Sequence, residues 1–178
     1  MTILYIIISF VALLLIVALF IKKEYTVTRE ILINRPVGTV FGYIKYLKNQ
    51  DDYSVWSKMD PTMQKTFIGT DGNPGFIYAW DSPNKKVGKG EQEIIKIIDG
   101  ESLQTELRFI KPFEGKAISK ISTVAASEKQ TTVTWKLESS MKYPMNIMLL
   151  FMSMENMIGN DFETGLSNLK QVLETAHP

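Results

Sequence analysis

The run PMNIMLLFMSMENMIGNDFETGLSNLKQVLET, Pro144 to Thr175, contains two segments with different apolar patterns. From Asn160 to Glu174, Phe162, Leu166, Leu169 and Leu173 recur at three- and four-residue spacing, so one helical face is apolar. Asp161, Glu163, Asn168, Lys170 and Glu174 stay on the watered side, and Asn160 with Glu163 has the form of a helix-capping pair. Such a face needs a sheet to cover it. The preceding segment, Ile147 to Met152, is apolar almost all round and belongs to a Met-rich stretch: Met145, Met148, Met152, Met154 and Met157. Burial on two sides, contact with another apolar body or a place in a cavity wall each satisfies that pattern. Unbranched thioethers suit a wall with variable contents, because they repack at low cost. Met as a filler of an irregular core explains the same residues.

Between Tyr25 and Ser140 the chain reads as strands able to wrap around that helix. Tyr25, Val27, Ile31 and Ile33 open a first strand. Pro36 starts a short helix with Val37, Val40, Phe41 and Ile44 as its apolar stripe, and Tyr53 to Met59 forms a second short helix or turn before Pro61. Met63–Ile68 and Phe76–Asp81 flank the turn-rich segment Gly69 to Gly75, which predicts a hairpin. Phe76, Tyr78 and Trp80 share one face of its second strand. A strand from Gly88 to about Ile98 follows, then alternating strands around Leu103–Phe109 and Thr132–Glu138, with Gly115–Ala125 as a weaker strand between them. The order is strand, two short helices, six strands and a long helical end, an α+β antiparallel architecture.

Ahead of this domain, Ile3 to Ile21 carries no charge and is about long enough, at ~1.5 Å per residue, to cross a bilayer. This divides the chain into a transmembrane anchor, residues 1–23, and a folded domain, residues 24–178. Met1-Thr2 has no basic side chain and Ala18-Leu19-Phe20 is a poor cleavage site, so an anchor is favoured over a cleaved signal peptide. Lys22 and Lys23, with Arg29 and Arg35 beyond, predict a single-pass protein whose C-terminal domain is cytoplasmic.

Composition narrows the chemistry. The 20 Lys plus Arg nearly balance 19 Asp plus Glu, so no strong field draws nucleic acid to the chain. With no Cys and His177 as the single His, thiol nucleophiles, disulfides and the usual zinc sites are excluded, and no metal or cofactor is called for. Any chemistry would rest on carboxylates, hydroxyls, Lys or water. Glu91, Glu93 and Glu106 fall on the outward strand phase, and Asp60 before Pro61 reads as a turn or helix-end residue.

The segments Trp56-Ser57-Lys58-Met59-Asp60-Pro61, Gly75-Phe76-Ile77-Tyr78-Ala79-Trp80, Val87-Gly88-Lys89-Gly90, Phe109-Ile110-Lys111-Pro112-Phe113-Glu114, Thr132-Val133-Thr134-Trp135 and Ile158 to Lys170 together resemble the SRPBCC (START-like, helix-grip) superfamily, in its polyketide cyclase/dehydrase-like branch, from Tyr25 to Glu174. The resemblance implies a curved sheet of about seven strands gripping the C-terminal helix, with a mostly apolar cavity between them. It also implies a lipid or other hydrophobic small molecule as partner and no catalytic motif common to the superfamily, and it names no protein partner. Inward strand phase and the Met-rich segment nominate Trp56, Tyr78, Trp80, Gln92, Leu107, Phe109, Trp135, Met148, Phe151 and Met152 as cavity lining, each of which ordinary core packing also explains. Tyr78 and Gln92 stand out because an inward polar group needs a partner, from a ligand, a water or the backbone. Three functions follow: a membrane-tethered binding protein, an enzyme acting on a hydrophobic substrate, or an interaction module that regulates a chaperone.

Overall fold

The computed structural model describes residues 1–175; His177 lies outside the described residues. Helix α1 (Thr2–Phe20) is followed by β1 (Glu24–Ile33), then α2 (Val37–Ile44), α3 (Gln50–Tyr53) and α4 (Val55–Met59). Six strands follow: β2 (Gln64–Ile68), β3 (Ile77–Asp81), β4 (Lys89–Ile98), β5 (Ser102–Lys111), β6 (Gly115–Ser127) and β7 (Gln130–Ser140). A 3₁₀ turn (Met145–Leu150) leads into α5 (Met154–Thr175).

All seven strands form one antiparallel sheet in the order β1-β7-β6-β5-β4-β3-β2. The strands from β2 to β7 make a meander, and β1 closes on β7 from Glu24↔Ser140 to Ile33↔Thr131. Curvature is assisted where β4 crosses under Trp80. A Cβ at Gly90 would sit 2.7 Å from both the Arg108 carbonyl oxygen and the Trp80 ring, so only glycine allows that approach.

Helix α5 lies in the concavity, burying Phe162, Leu166, Leu169 and Leu173 against Val27, Ile33, Val133 and Trp135. The helix is longer than its periodicity predicts. It starts at Met154, where the Asn156 amide donates to Ser153 Oγ at 3.2 Å, which makes Ser153 the N-cap. Asn160 and Glu163 are therefore interior to the helix and do not cap it. Glu163 instead accepts a hydrogen bond from Arg29 Nε at 2.5 Å, while Arg29 also binds Glu155. Arg29 reaches inward from β1 across Gly159, where a Cβ would lie 2.2 Å from the guanidinium. An inward cation in a strand thus fixes the N-terminal half of the helix.

Two further details differ from the sequence-based expectation. The stretch read as a polar break plus one helix or turn forms a 3₁₀ turn (Leu47–Asn49) and two short helices, separated at Ser54 by extended backbone. The Met-rich stretch is divided: Met154 and Met157 fall in the first turns of α5, whereas Met145–Leu150 is a separate 3₁₀ turn against α1, with Asn146 Nδ2 donating to the carbonyls of Ala18 at 2.7 Å and Ile21 at 3.0 Å. Helix α1 is otherwise exposed, with Ala18 its one buried residue, and it is the one helix among the described residues long and apolar enough to cross a membrane.

Candidate functional site

Where α5 and the sheet diverge, a cavity of about 250 Å³ remains. Its deep end is closed by aromatic rings. Trp135 stacks on Phe162 with centroids 4.3 Å apart and planes 9° from parallel, and Trp56 meets both edge-on at 6.5 and 6.2 Å. Gly165 allows this contact, since a Cβ there would already stand 3.0 Å from the Trp135 ring. The opposite wall comprises Trp80 and Phe109, edge to face at 6.3 Å, with Tyr78, Leu107 and Met63. The mouth is formed by Lys86 and Val87 of the β3–β4 loop, by Lys111, Pro112 and Phe113 at the β5–β6 loop, and by Ile158 of α5.

The structure brings Trp56, Tyr78, Trp80, Gln92, Leu107, Phe109 and Trp135 together around this one space. Met148, Phe151 and Met152 are elsewhere. Their segment packs on α1 at the end of the domain, and Phe151 is 78 % exposed. Several wall residues were not singled out from the sequence. Leu137 shares the inward phase of Trp135, and Ile158 and Phe162 stand one helical turn apart, so period counting would have found all three. The loop residues Lys86 and Phe113 carry no periodic signal.

Polar groups on the wall are tied to other protein groups. Tyr78 Oη donates to Asp51 Oδ1 at 2.7 Å, Gln92 Nε2 to Thr105 Oγ1 at 2.8 Å, Trp135 Nε1 to Ser119 Oγ at 2.9 Å and Trp80 Nε1 to the Val87 carbonyl at 3.2 Å. Burial, reinforced by the hydrogen bond to Asp51, pushes the Tyr78 phenol far above its ordinary value, so it stays protonated. Asp60 is off the wall: its carboxylate accepts from the Ser82 and Thr62 hydroxyls, which hold its pKa below the usual range. Asn84 in turn donates its amide to Ser82 Oγ at 3.0 Å, so Asp60 anchors the loop that carries Lys86. Glu91, Glu93 and Glu106 lie on the convex face, where Arg108 binds all three at 2.6 to 2.8 Å.

The family described as polyketide cyclase / dehydrase and lipid transport matches residues 24–174. The chain belongs to that family. No curated protein sequence matches it closely enough to count as a relative. Among solved structures, norcoclaurine synthase from Thalictrum flavum, in complex with dopamine and hydroxybenzaldehyde, has a TM-score of 0.65 at 9 % identity, covering 88 % of this chain and 90 % of that one. A Thermobifida fusca protein solved in solution is similar at a TM-score of 0.55 and 17 % identity, covering 85 % and 95 %. A protein from Nitrosospira multiformis is similar at 0.57 and 12 %, covering 85 % and 97 %. At these identities the likeness establishes the shared fold alone.

Proposed function

We propose that this protein binds a small hydrophobic or amphiphilic molecule in the space between sheet and α5, while α1 anchors it in a membrane. The observation that carries the reading is the cavity itself, with an aromatic floor and a lysine-flanked mouth. Its volume of about 250 Å³ falls just under the ~300–1,000 Å³ of ordinary small-molecule sites. That size favours one ring system or a single acyl chain over a two-tailed lipid. Paired polar groups on the wall favour binding over turnover, since Tyr78 is a protonated donor already committed to Asp51. Lys22 and Lys23 after α1 favour a cytoplasmic domain.

The chain's 3 Trp residues, Trp56, Trp80 and Trp135, all line the cavity, so intrinsic fluorescence reports its contents. Titrating the full chain in phosphatidylcholine nanodiscs with a doxyl-labelled single-chain fatty acid is expected to quench Trp emission saturably. Leu107→Phe, which fills the wall, should weaken that titration at least several-fold. Quenching that is linear in probe, or identical in the variant, removes the binding reading.

A further inference from the structure

The strand register places the cavity mouth at one end of the sheet. Glu24 pairs with Ser140, Ser139 with Ala117, Gly115 with Phe109, Lys111 with Lys89, and Lys89 with Asp81. The start of β1, the end of β7, the β5–β6 loop and the β3–β4 loop therefore share an edge of the domain. This is also the end that α1 enters. Only Ile21, Lys22 and Lys23 separate α1 from β1, a reach of roughly 10 Å at full extension. The link is shorter in effect, because the Met141 amide already donates to the Lys23 carbonyl at 2.8 Å.

The 3₁₀ turn holds the same end against the helix. Asn146 satisfies carbonyls at the C-terminus of α1. Tyr143 Oη reaches the Leu15 carbonyl at 3.4 Å, so this segment descends beside α1 by several residues. If α1 spans a bilayer, that depth is the headgroup region, where Tyr is favoured. At this end stand exposed apolar side chains on two separate elements: Phe113 at 74 % on the β5–β6 loop, and Leu150 at 59 % and Phe151 at 78 % at the end of the 3₁₀ turn. Lys22, Lys23, Lys85, Lys86, Lys111 and Lys142 are exposed at this end. Of the acids nearby, Asp81 is bound by Lys89 and Glu155 by Arg29, which leaves Glu24, Glu114 and Asp161, the last facing Lys86, against six cations.

We infer that the cavity opens directly onto the bilayer: Phe113 and Phe151 insert at the interface, the lysines meet anionic headgroups, and a single-chain amphiphile enters from the membrane with its charged end left beside Lys86 and Lys111. The apolar side chains on the β5–β6 loop and on the 3₁₀ turn thus share one occupant, the lipid surface. This inference rests on the anchor reading of α1, and the experiment separates the two.

The natural chain has no Cys, so single-cysteine variants give clean labels. Spin labels are placed by Ser9→Cys in α1, Phe113→Cys, Phe151→Cys, and Glu128→Cys on the β6–β7 turn at the far end. The full chain is reconstituted in vesicles of phosphatidylcholine and phosphatidylglycerol, and collision with oxygen and with a water-soluble nickel chelate is measured. The expected result is deep burial at position 9, nickel collision several-fold lower at 113 and 151 than at 128, and full water access at 128. Position 113 as water-accessible as 128, with position 9 in lipid, overturns the inference and leaves the anchor intact. Position 9 in water overturns both. Loading adds a second readout: Phe151→Asp, off the cavity wall, should slow Trp quenching by doxyl fatty acid delivered in the same vesicles, with the final quench unchanged. An unchanged rate counts against entry from the membrane, whereas absence of quenching in both chains sinks the binding reading and leaves the labelling result to judge the docking.

Discussion

The two halves of α5 meet the same sheet in opposite ways. From Phe162 to Leu173 the helix is seated: Phe162, Leu166, Leu169 and Leu173 are all buried, and Gly165 lets Trp135 close the contact. From Met154 to Ile158 the helix is tied to β1 by Arg29, which binds Glu155 in this half and Glu163 in the next, and Ile158 packs on the edge of the core and lines the cavity. One half is held chiefly by packing and the other chiefly by a polar strut. The contrast teaches that a hollow in this fold needs no special lining. It needs a point beyond which apolar interdigitation stops and a longer, charged spacer sets the distance.

Equal deletions in the two regions should therefore cost unequal amounts. Leu166→Ala removes a side chain 1 % exposed in the seated half, and should cost about 2–5 kcal/mol in unfolding free energy. Leu107→Ala, half-buried on the cavity wall, already lacks packing atoms on one side and should cost about half that or less. Chemical denaturation of both variants checks this. Equal losses would mean that the space is closed in solution and that the helix is seated throughout.

A second test loosens the mouth without touching the seat. Ser82 ties the β3–β4 loop to Asp60, and the Asp60 carboxyl is held below its ordinary range chiefly by the Ser82 hydroxyl, then by Thr62. A carboxylate with a depressed folded-state pKa contributes stability above the unfolded value near ~3.9, and that contribution is lost as pH falls through the lower folded value. Ser82→Ala should lower Tm by a few degrees at neutral pH. The gap between variant and parent should narrow as the pH drops below about 4. A gap constant with pH would place the effect outside the Asp60 hydrogen bond. Fatty-acid quenching should become less saturable in the same variant, because the loop carrying Lys86 is freed.

The same contrast explains which parts of the molecule were legible in the sequence. The seated half was, because Phe162, Leu166, Leu169 and Leu173 follow the helical period and Phe76, Tyr78 and Trp80 follow the strand period, and both signals are local. The gathering of Trp56, Tyr78, Trp80, Gln92, Leu107, Phe109 and Trp135 around one space follows from the same strand phases. The Met-rich run misled because an all-round apolar segment says that it is covered and not by what. Its neighbour is α1, well over a hundred residues earlier, and Ser153 ends the turn before α5 begins. Arg29 was unreadable for a related reason: a cation in an inward strand phase makes sense only once Glu155, Glu163 and Gly159 are seen opposite it. Lys86 and Phe113 sit on loops, and only the register across the four strands β3 to β6 brings them to the same mouth.

The smallest effect expected lies where the two halves join. Asp161 is half-buried at the start of the seated face, and its carboxyl is raised above the ordinary value by burial, with Lys86 from the mouth loop pulling it back down. Because the folded state disfavours the ionised form, Asp161 opposes folding above its folded pKa, and the opposition disappears below the unfolded value near ~3.9. Asp161→Asn should therefore stabilise the protein at neutral pH, by about 0.5 kcal/mol or less since the site is largely open to screening solvent, and should do nothing at pH 3. Thermal unfolding at the two pH values measures it. Lys86→Gln should act in the opposite direction at neutral pH, deepening the penalty, and the double variant should recover the Asp161→Asn value because Lys86 then has no carboxylate to oppose. If Lys86→Gln leaves Tm unchanged in the parent, the β3–β4 loop does not sit over α5 in solution, and the mouth is wider than the strut alone would set.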